Sequence, residues 1–233
     1  IDGVVRWRAK CVGIAGFEDK SISCDDLLIK MNSMDTRHSG FIYEVLNNSP
    51  ELFQFACCSS ALKFVSEYFC IDNPDTLPVI NNIHLRFHLP GGHDKSVLPW
   101  HQDSQYNSLS ASRSFVIWSA LNDVPEDLGL VELLEGSQKL GKIEGIETKI
   151  SQERVALTVP ESSIDESSYT LNRTPEIRAG DACVFHFNVI HRSGENRTAN
   201  TVRWTVQTRW HDSSEEGFLP KYGTPLSKAT PRK

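Results

Sequence analysis

Two stretches of this chain carry residue types that can hold a metal ion. Residues 98–103 read Leu-Pro-Trp-His-Gln-Asp, which sets the imidazole of His101 two positions before the carboxylate of Asp103. In extended backbone, positions i and i+2 face the same side, and a proline favours an extended approach in the residue before it. Both side chains can therefore converge on one ion from a strand end. Alone, the pair reads equally well as a hydrogen-bonded strand end. The second stretch, 180–196, begins with a Gly180-Asp181 turn, continues as a strand, and reaches His191 where the strand gives way to Ser-Gly-Glu-Asn. A late histidine so placed can supply a third ligand. Two neutral imidazoles and one carboxylate on one face of an octahedron leave three positions open, which suits non-haem Fe(II) that must also bind a cosubstrate and dioxygen. Zinc accepts the same ligand types.

Arg203 follows in Val-Arg-Trp-Thr-Val-Gln-Thr and shares a strand face with Thr205, while Val202, Trp204 and Val206 take the other. A guanidinium fork beside a hydroxyl is a fitting receptor for a carboxylate. The same residues, with Gln207 and Arg209, would also serve as a solvated strand face; their place behind the candidate ligands favours the receptor. Other histidines have plainer readings. His84 and His88 share a face with Arg86, as a substrate mouth or as polar positions on a half-exposed strand. His93 lies in a glycine-rich loop, and His186, between Phe185 and Phe187, fits packing better than ligation. Trp100 points away from His101 and toward a core.

The elements that must position these side chains change character along the chain. Ser49-Pro50-Glu51 is a helix start, with a serine N-cap, proline at the first position and a carboxylate at the positive dipole end. Leu52, Phe55, Ala56, Leu62, Val65 and Phe69 follow at helical spacing, until Asp72-Asn73-Pro74 and Pro78 stop the helix. A weaker helix starts at Ser23, with Leu27, Leu28 and Met31 inward; residues 1–20 are ambiguous. From Val79 the period becomes two: Ile83, Leu85, Phe87 and Leu89 alternate with His84, Arg86 and His88 up to Pro90-Gly91-Gly92. Residues 113–121, 129–134, 155–159, 181–187 and 202–210 are further strands, short, rich in β-branched and aromatic residues, and divided by Gly, Pro, Asn and Asp. The stretch 161–170 and the tail after Gly217 read as loop and extension. This is a mainly β, α+β pattern: a sandwich or jelly roll with helices packed on one outer face.

Composition sets the outer limits. The chain has 233 residues, 39% hydrophobic and 23% charged, which predicts one domain. It divides into a mostly helical part (1–78), a strand-rich core (79–212) and a C-terminal extension (213–233). A net charge of −6 with scattered basic residues argues against coating nucleic acid. No apolar run approaches the roughly 20 residues of a spanning helix, and no secretory signal is visible. The expected location is cytoplasmic; with Ile1 rather than Met first, a removed organelle-targeting segment is the open alternative. Cys11, Cys24, Cys57, Cys58, Cys70 and Cys183 form no C-x-x-C pair or disulfide pattern. Mostly apolar neighbours suggest buried free thiols in a reducing compartment.

Taken together, the order and spacing of these residues resemble the phytanoyl-CoA dioxygenase family of Fe(II)/2-oxoglutarate oxygenases. The likeness runs from about Leu85 to Trp210. It joins the Leu-Pro-Trp-His-Gln-Asp box, Trp118-Ser119-Ala120-Leu121 with Asn122-Asp123-Val124, Gly129, Glu135-Gly136-Ser137, Gly180-Asp181, His191-Arg192-Ser193-Gly194 with Asn196, and Arg203. The resemblance implies a double-stranded β-helix, the jelly roll of cupin-like proteins, with the metal at one mouth. It implies that His101, Asp103 and His191 hold iron, and that Arg203, helped by Thr205, binds the far carboxylate of 2-oxoglutarate. Trp118 and Ser193 are expected beside that cosubstrate. The implied activity is oxidation of a small organic substrate, by hydroxylation of an unactivated C–H or a related reaction. It would consume O2 and release succinate and CO2, with ascorbate as an accessory reductant. Three features depart from the family pattern. Glu135-Gly136-Ser137-Gln138 stands where Pro-Gly-Ser-His is common, Arg192 replaces a common glycine, and the interval from His191 to Arg203 is one residue longer. Asp103 is kept, whereas halogenating relatives lack the carboxylate, so hydroxylation is expected. The competing reading is a metal-binding jelly roll without oxygenase activity, either a cupin-like binding module or a zinc hydrolase. The expected partner is a small molecule, and the pattern specifies no oligomeric state.

Overall fold

The computed structural model describes residues 1–72, 78–91, 97–106, 113–150, 155–164 and 169–214. Of the sequence expectations, Asn73-Pro74, Gly92, His93 and the tail after Gly217 lie outside these residues.

Among the described residues five helices come first: α1 (Asp2–Cys11), α2 (Cys24–Met34), α3 (Arg37–Asn47), α4 (Pro50–Ala56) and α5 (Ser59–Phe69). Ser23 caps α2 by accepting from the Asp26 amide, and Leu27, Leu28 and Met31 are buried as the spacing predicts. Ser49 caps α4 by accepting from the Leu52 amide. The single helix expected from Pro50 is in fact two, broken at Cys57-Cys58, because Cys58 takes extended backbone (φ −64°, ψ 157°). Past α5, Cys70 adopts left-handed geometry (φ 54°) and ends the helix before the prolines are reached. The break turns Phe55 and Leu62 outward, where both are exposed. Helices α1 and α3 fall where the sequence was ambiguous or silent.

Among the described residues nine strands follow: β1 (Pro78–His88), β2 (Ser114–Ala120), β3 (Val131–Glu135), β4 (Ile146–Lys149), β5 (Val155–Thr158), β6 (Thr170–Arg173), β7 (Ala182–His186), β8 (His191–Ser193) and β9 (Arg203–Asp212). They form antiparallel sheets of order β1-β9-β2-β7 and β6-β3-β8, with β4-β5 as a separate ribbon. Strands β4, β6 and β8 were not anticipated. They are four residues or fewer, and β6 is exposed throughout, so no alternation marks them.

The larger sheet is covered on both sides. Outward residues Leu85 of β1 and Trp204 and Val206 of β9 join Val5, Leu28, Met31 and Ile42 of α1–α3 in one core. Phe115 and Ile117 of β2 and Trp210 of β9 pack on Val65 and Phe69 of α5. Inward residues Val116, Trp118 and Ala120 of β2 and Phe185 of β7 meet Val131 of β3 in the space between the sheets. This is the jelly roll with helices on one outer face. Among the described residues no helix is long and apolar enough to cross a membrane. All six cysteines are free, but none is buried: Cys11, Cys57 and Cys70 are exposed, and the others are half-buried. Apolar neighbours in sequence were a poor guide here, because on α1 and at the ends of α4 and α5 the cysteines occupy the solvent side.

Candidate metal centre and cosubstrate pocket

His101 and His191 meet through a two-way backbone bridge. Each amide donates to the other's carbonyl at 2.9 Å, which places the rings 4.1 Å apart, centroid to centroid. The expected strand at 98–103 is reduced to this one bridge, and a 3₁₀ turn, Asp103–Gln105, follows at once. The turn brings Asp103 in beside the rings. One ligand atom from each of His101, Asp103 and His191 lies within 4.8 Å of the other two, and all three residues are buried.

The surroundings set the protonation state of each group. His101 Nδ1 lies 2.8 Å from the Pro99 carbonyl, and His191 Nδ1 3.0 Å from that of Val189. A carbonyl only accepts, so Nδ1 carries the proton on both rings and Nε2 keeps a lone pair for an ion. Burial, together with the neighbouring imidazole, pulls His101 down to about 3. Burial also lowers His191. Burial alone would raise Asp103, but the Arg209 guanidinium and the two imidazoles outweigh it and hold the carboxyl at about 2. At neutral pH the cluster is two neutral rings and one carboxylate, the protonation a divalent cation needs.

Flanking polar residues fix the backbone around the cluster. Gln102, on the opposite side from its neighbours, donates to the Gly141 and Asn188 carbonyls at 2.9 and 2.7 Å and accepts from the Ile143 amide at 2.7 Å. The Ser137 hydroxyl accepts from the Ile190 amide at 2.8 Å, one residue before His191. Arg209 donates Nη2 to Asp103 Oδ1 at 2.7 Å, in a pair buried on both sides. Arg192, in place of the common glycine, turns outward onto the Trp100 ring and the Glu132 carboxylate. Trp100 itself is half-buried in a small cluster with Ile190, away from the ligands.

The cluster opens into a cavity of about 470 Å³ between the sheets. Arg203 lies in its wall, 2% exposed. Its Nη1 donates to the carbonyls of Gly129 and Gly194, and its Nη2 donates to His88 Nδ1. Nε is buried without a partner. Burial lowers the guanidinium to about 10, so it stays charged at neutral pH. The chain crosses itself tightly here: a Cβ on Gly194 would stand 2.1 Å from the Leu130 carbonyl oxygen, and Gly129 has φ +92°. The Trp118 ring lies 5.9 Å from the Arg203 guanidinium carbon, and Ser193 also lines the cavity. Thr205 is buried on β9 between Arg203 and Gln207, but does not line the cavity. His84, Arg86 and His88 do line it, which favours the mouth over the solvated face. His186 accepts from the Asn188 amide through Nδ1 at 3.0 Å and stands apart from the three ligands.

The donor set and the orphaned Nε of Arg203 both fit the iron and dicarboxylate that the sequence led us to expect. Sequence reasoning gave no role to Arg209, Gln102 or Ser137 and missed the contact of His88 with Arg203. Gln102 and Ser137 stood inside the boxes that carry the resemblance, and Arg209 shares the alternation of Arg203 along β9.

No curated protein matches the chain. Among solved structures, the fold is similar to EctD from S. alaskensis with bound Fe, at 20% identity and TM-score 0.53, covering 74% of this chain and 56% of that one. It is also similar to EvdO2 from Micromonospora carbonacea var. aurantiaca complexed with 2-oxoglutarate, at 19% identity and TM-score 0.50, covering 75% and 64%. The chain thus spans less than two thirds of the length of either. The phytanoyl-CoA dioxygenase (PhyH) family matches residues 46–204, well over half of the sequence, from the end of α3 to the start of β9. On that match the chain belongs to the phytanoyl-CoA dioxygenase family.

Proposed function

We propose that this chain is an Fe(II)- and 2-oxoglutarate-dependent oxygenase that hydroxylates an unactivated C–H of a small organic substrate. The observation that carries the reading is the convergence of His101, Asp103 and His191 on one point of a cavity that also holds the buried guanidinium of Arg203. In this reading the Nε2 atoms of His101 and His191 and one oxygen of Asp103 hold the metal. Arg203 receives the far carboxylate of 2-oxoglutarate, and its partnerless Nε supplies a donor. Trp118 and Ser193 flank the cosubstrate, and Thr205 supports Arg203 from the same strand face. When bound, iron activates dioxygen at the expense of 2-oxoglutarate, which leaves as succinate and CO2.

The protein's own work is orientation and dryness. The Pro99 and Val189 carbonyls hold the imidazole protons on Nδ1, and Arg209 steadies the Asp103 carboxylate through Oδ1. Val116, Trp118, Val131 and Phe185 wall the cavity with apolar surface, which strengthens every charge interaction inside. Because the carboxylate ligand is present, no protein-vacated position is open to a halide, and hydroxylation is the reading we adopt.

A metabolite library tests it: the protein is supplied with Fe(II), ascorbate and 2-oxoglutarate, and succinate release is followed. Substrate-stimulated succinate that disappears in Asp103→Ala is the expected result. No stimulated release from an iron-loaded protein, or turnover surviving in that variant, would overturn the assignment.

A further inference from the structure

Resting on the reading above, we infer that His88 is a positioning residue for the cosubstrate: its neutral imidazole accepts from Arg203 and fixes the plane of that guanidinium without cancelling the charge that meets the far carboxylate. The strand register makes the pair. His88, the last residue of β1, stands directly opposite Arg203, the first of β9, and directly opposed side chains of an antiparallel pair share one face of the sheet. Both residues are buried, and both line the cavity. Arginine has no acceptor, so Nδ1 of His88 accepts from Nη2 of Arg203, and the ring is neutral with its proton on Nε2.

Separate elements hold the guanidinium. Gly129, before β3, and Gly194, after β8, both accept from Nη1, the second at 3.3 Å, whereas His88 accepts from Nη2. Bonds to one nitrogen alone leave the plane free to swing about it. The bond from a different nitrogen to His88 stops the swing. Nη1 has then spent both of its hydrogens on protein and Nη2 one of its own, which leaves a hydrogen on Nη2 and the one on Nε. Nε is buried without a partner. Each of these acceptors is neutral. A carboxylate in place of His88 would hold the fork as firmly, but it would neutralise the cation and weaken its grip on a dianion. One buried side chain also ties the acceptors to each other. Asn196 donates Nδ2 to the carbonyls of His88 and Thr201, each at 2.8 Å. Its Oδ1 accepts from the Thr198 amide and hydroxyl at 3.1 and 2.7 Å. The connection from β8 to β9, with Gly194 at its start, is thereby fastened to the end of β1 that carries His88.

The test uses the whole chain, kept anaerobic. Wild type, His88→Phe, His88→Asn and His88→Asp are each titrated with Fe(II) alone. The iron-loaded proteins are then titrated with 2-oxoglutarate, whose binding is read from the visible metal-to-cosubstrate band. A wild type that binds iron and gives no band would remove the proposed function, and this role with it. With the band present, the variants decide. His88→Phe keeps a ring and loses the acceptor, and should weaken 2-oxoglutarate binding about tenfold. His88→Asn sets Oδ1 where Nδ1 stood, and should stay within about threefold of the wild type. His88→Asp has the shape of asparagine but carries a charge, and should weaken binding about tenfold or more. Iron affinity without cosubstrate should hold in all of them. Wild-type cosubstrate affinity in His88→Phe, no recovery in His88→Asn, equal affinities in His88→Asn and His88→Asp, or an iron affinity that falls as far as the cosubstrate affinity would overturn the inference.

Discussion

At the residue scale, the site depends on contacts that hold its ligands still. Arg209 is the clearest case, because it neutralises Asp103 and fixes one of its oxygens. Arg209→Gln should weaken iron binding by roughly 10–100-fold, the usual effect of losing an outer-shell partner; anaerobic Fe(II) titration checks it, and wild-type affinity would show that Asp103 needs no such support. Gly194 and Gly129 make a second case. They accept from Arg203 through their carbonyls, and a side chain on Gly194 would overlap the Leu130 backbone. Gly194→Ala should cost about 3 kcal/mol or more, read from a urea unfolding midpoint, and an unchanged midpoint would show that the crossing relaxes freely. The candidate ligands His101, Asp103 and His191 and the candidate receptor Arg203 were named from residue type, spacing and the family resemblance. Arg209 was less legible, because a strand alternating Arg-Thr-Gln-Arg with Trp-Val-Thr-Trp looks like a solvated polar face over an apolar core. Here α1–α3 cover the apolar face and the polar one lines a cavity, so the rule that polar side chains face water is inverted.

At the scale of elements, side chains of the helices tie down the two strands that carry the pocket's cations. Asp25, in the first turn of α2, accepts from the Val202 amide and the Trp204 indole, both at 2.8 Å, on either side of Arg203. Asn47, at the end of α3, accepts from the Leu85 amide at 2.8 Å and donates to its carbonyl at 3.0 Å, beside Arg86. Asp25→Ala should destabilise the protein by about 1–3 kcal/mol and raise the 2-oxoglutarate concentration needed for half-maximal turnover. Calorimetry and a cosubstrate titration read the two effects, and a variant normal in both would unlink α2 from the pocket. Helix α2 was legible through its serine cap and inward apolar residues, as were the long strands β1, β2 and β9 through their alternation. Helix α3 and strands β4, β6 and β8 were not, since a short edge strand is specified by the partner it pairs with and leaves no local pattern.

At the scale of the whole molecule, folding buries histidines in their neutral form. His101 falls to about 3 and His211 to about 4, and His191 is lowered as well, in each case first by burial. These values lie below the ordinary one of about 6.5, so the folded state binds fewer protons than the unfolded chain in acid. The sign follows: the contribution to stability is complete above about pH 6.5 and is lost progressively as pH falls toward the folded-state values. Denaturant titrations of the metal-free protein should show stability dropping steeply between about pH 6.5 and 4.5, and a flat profile would mean that the rings are already protonated in the fold. Sequence could name the three candidate ligands, but only the jelly roll brings positions 101 and 191 into one backbone bridge. One anaerobic experiment tests that meeting of residues 101, 103 and 191. Fe(II) and 2-oxoglutarate are added to the wild type, Asp103→Ala and His191→Ala, and the weak visible charge-transfer band is recorded. The wild type should show the band and both variants should lose it; a wild type that binds iron without it, or a band that survives in His191→Ala, would separate these side chains from a shared metal site.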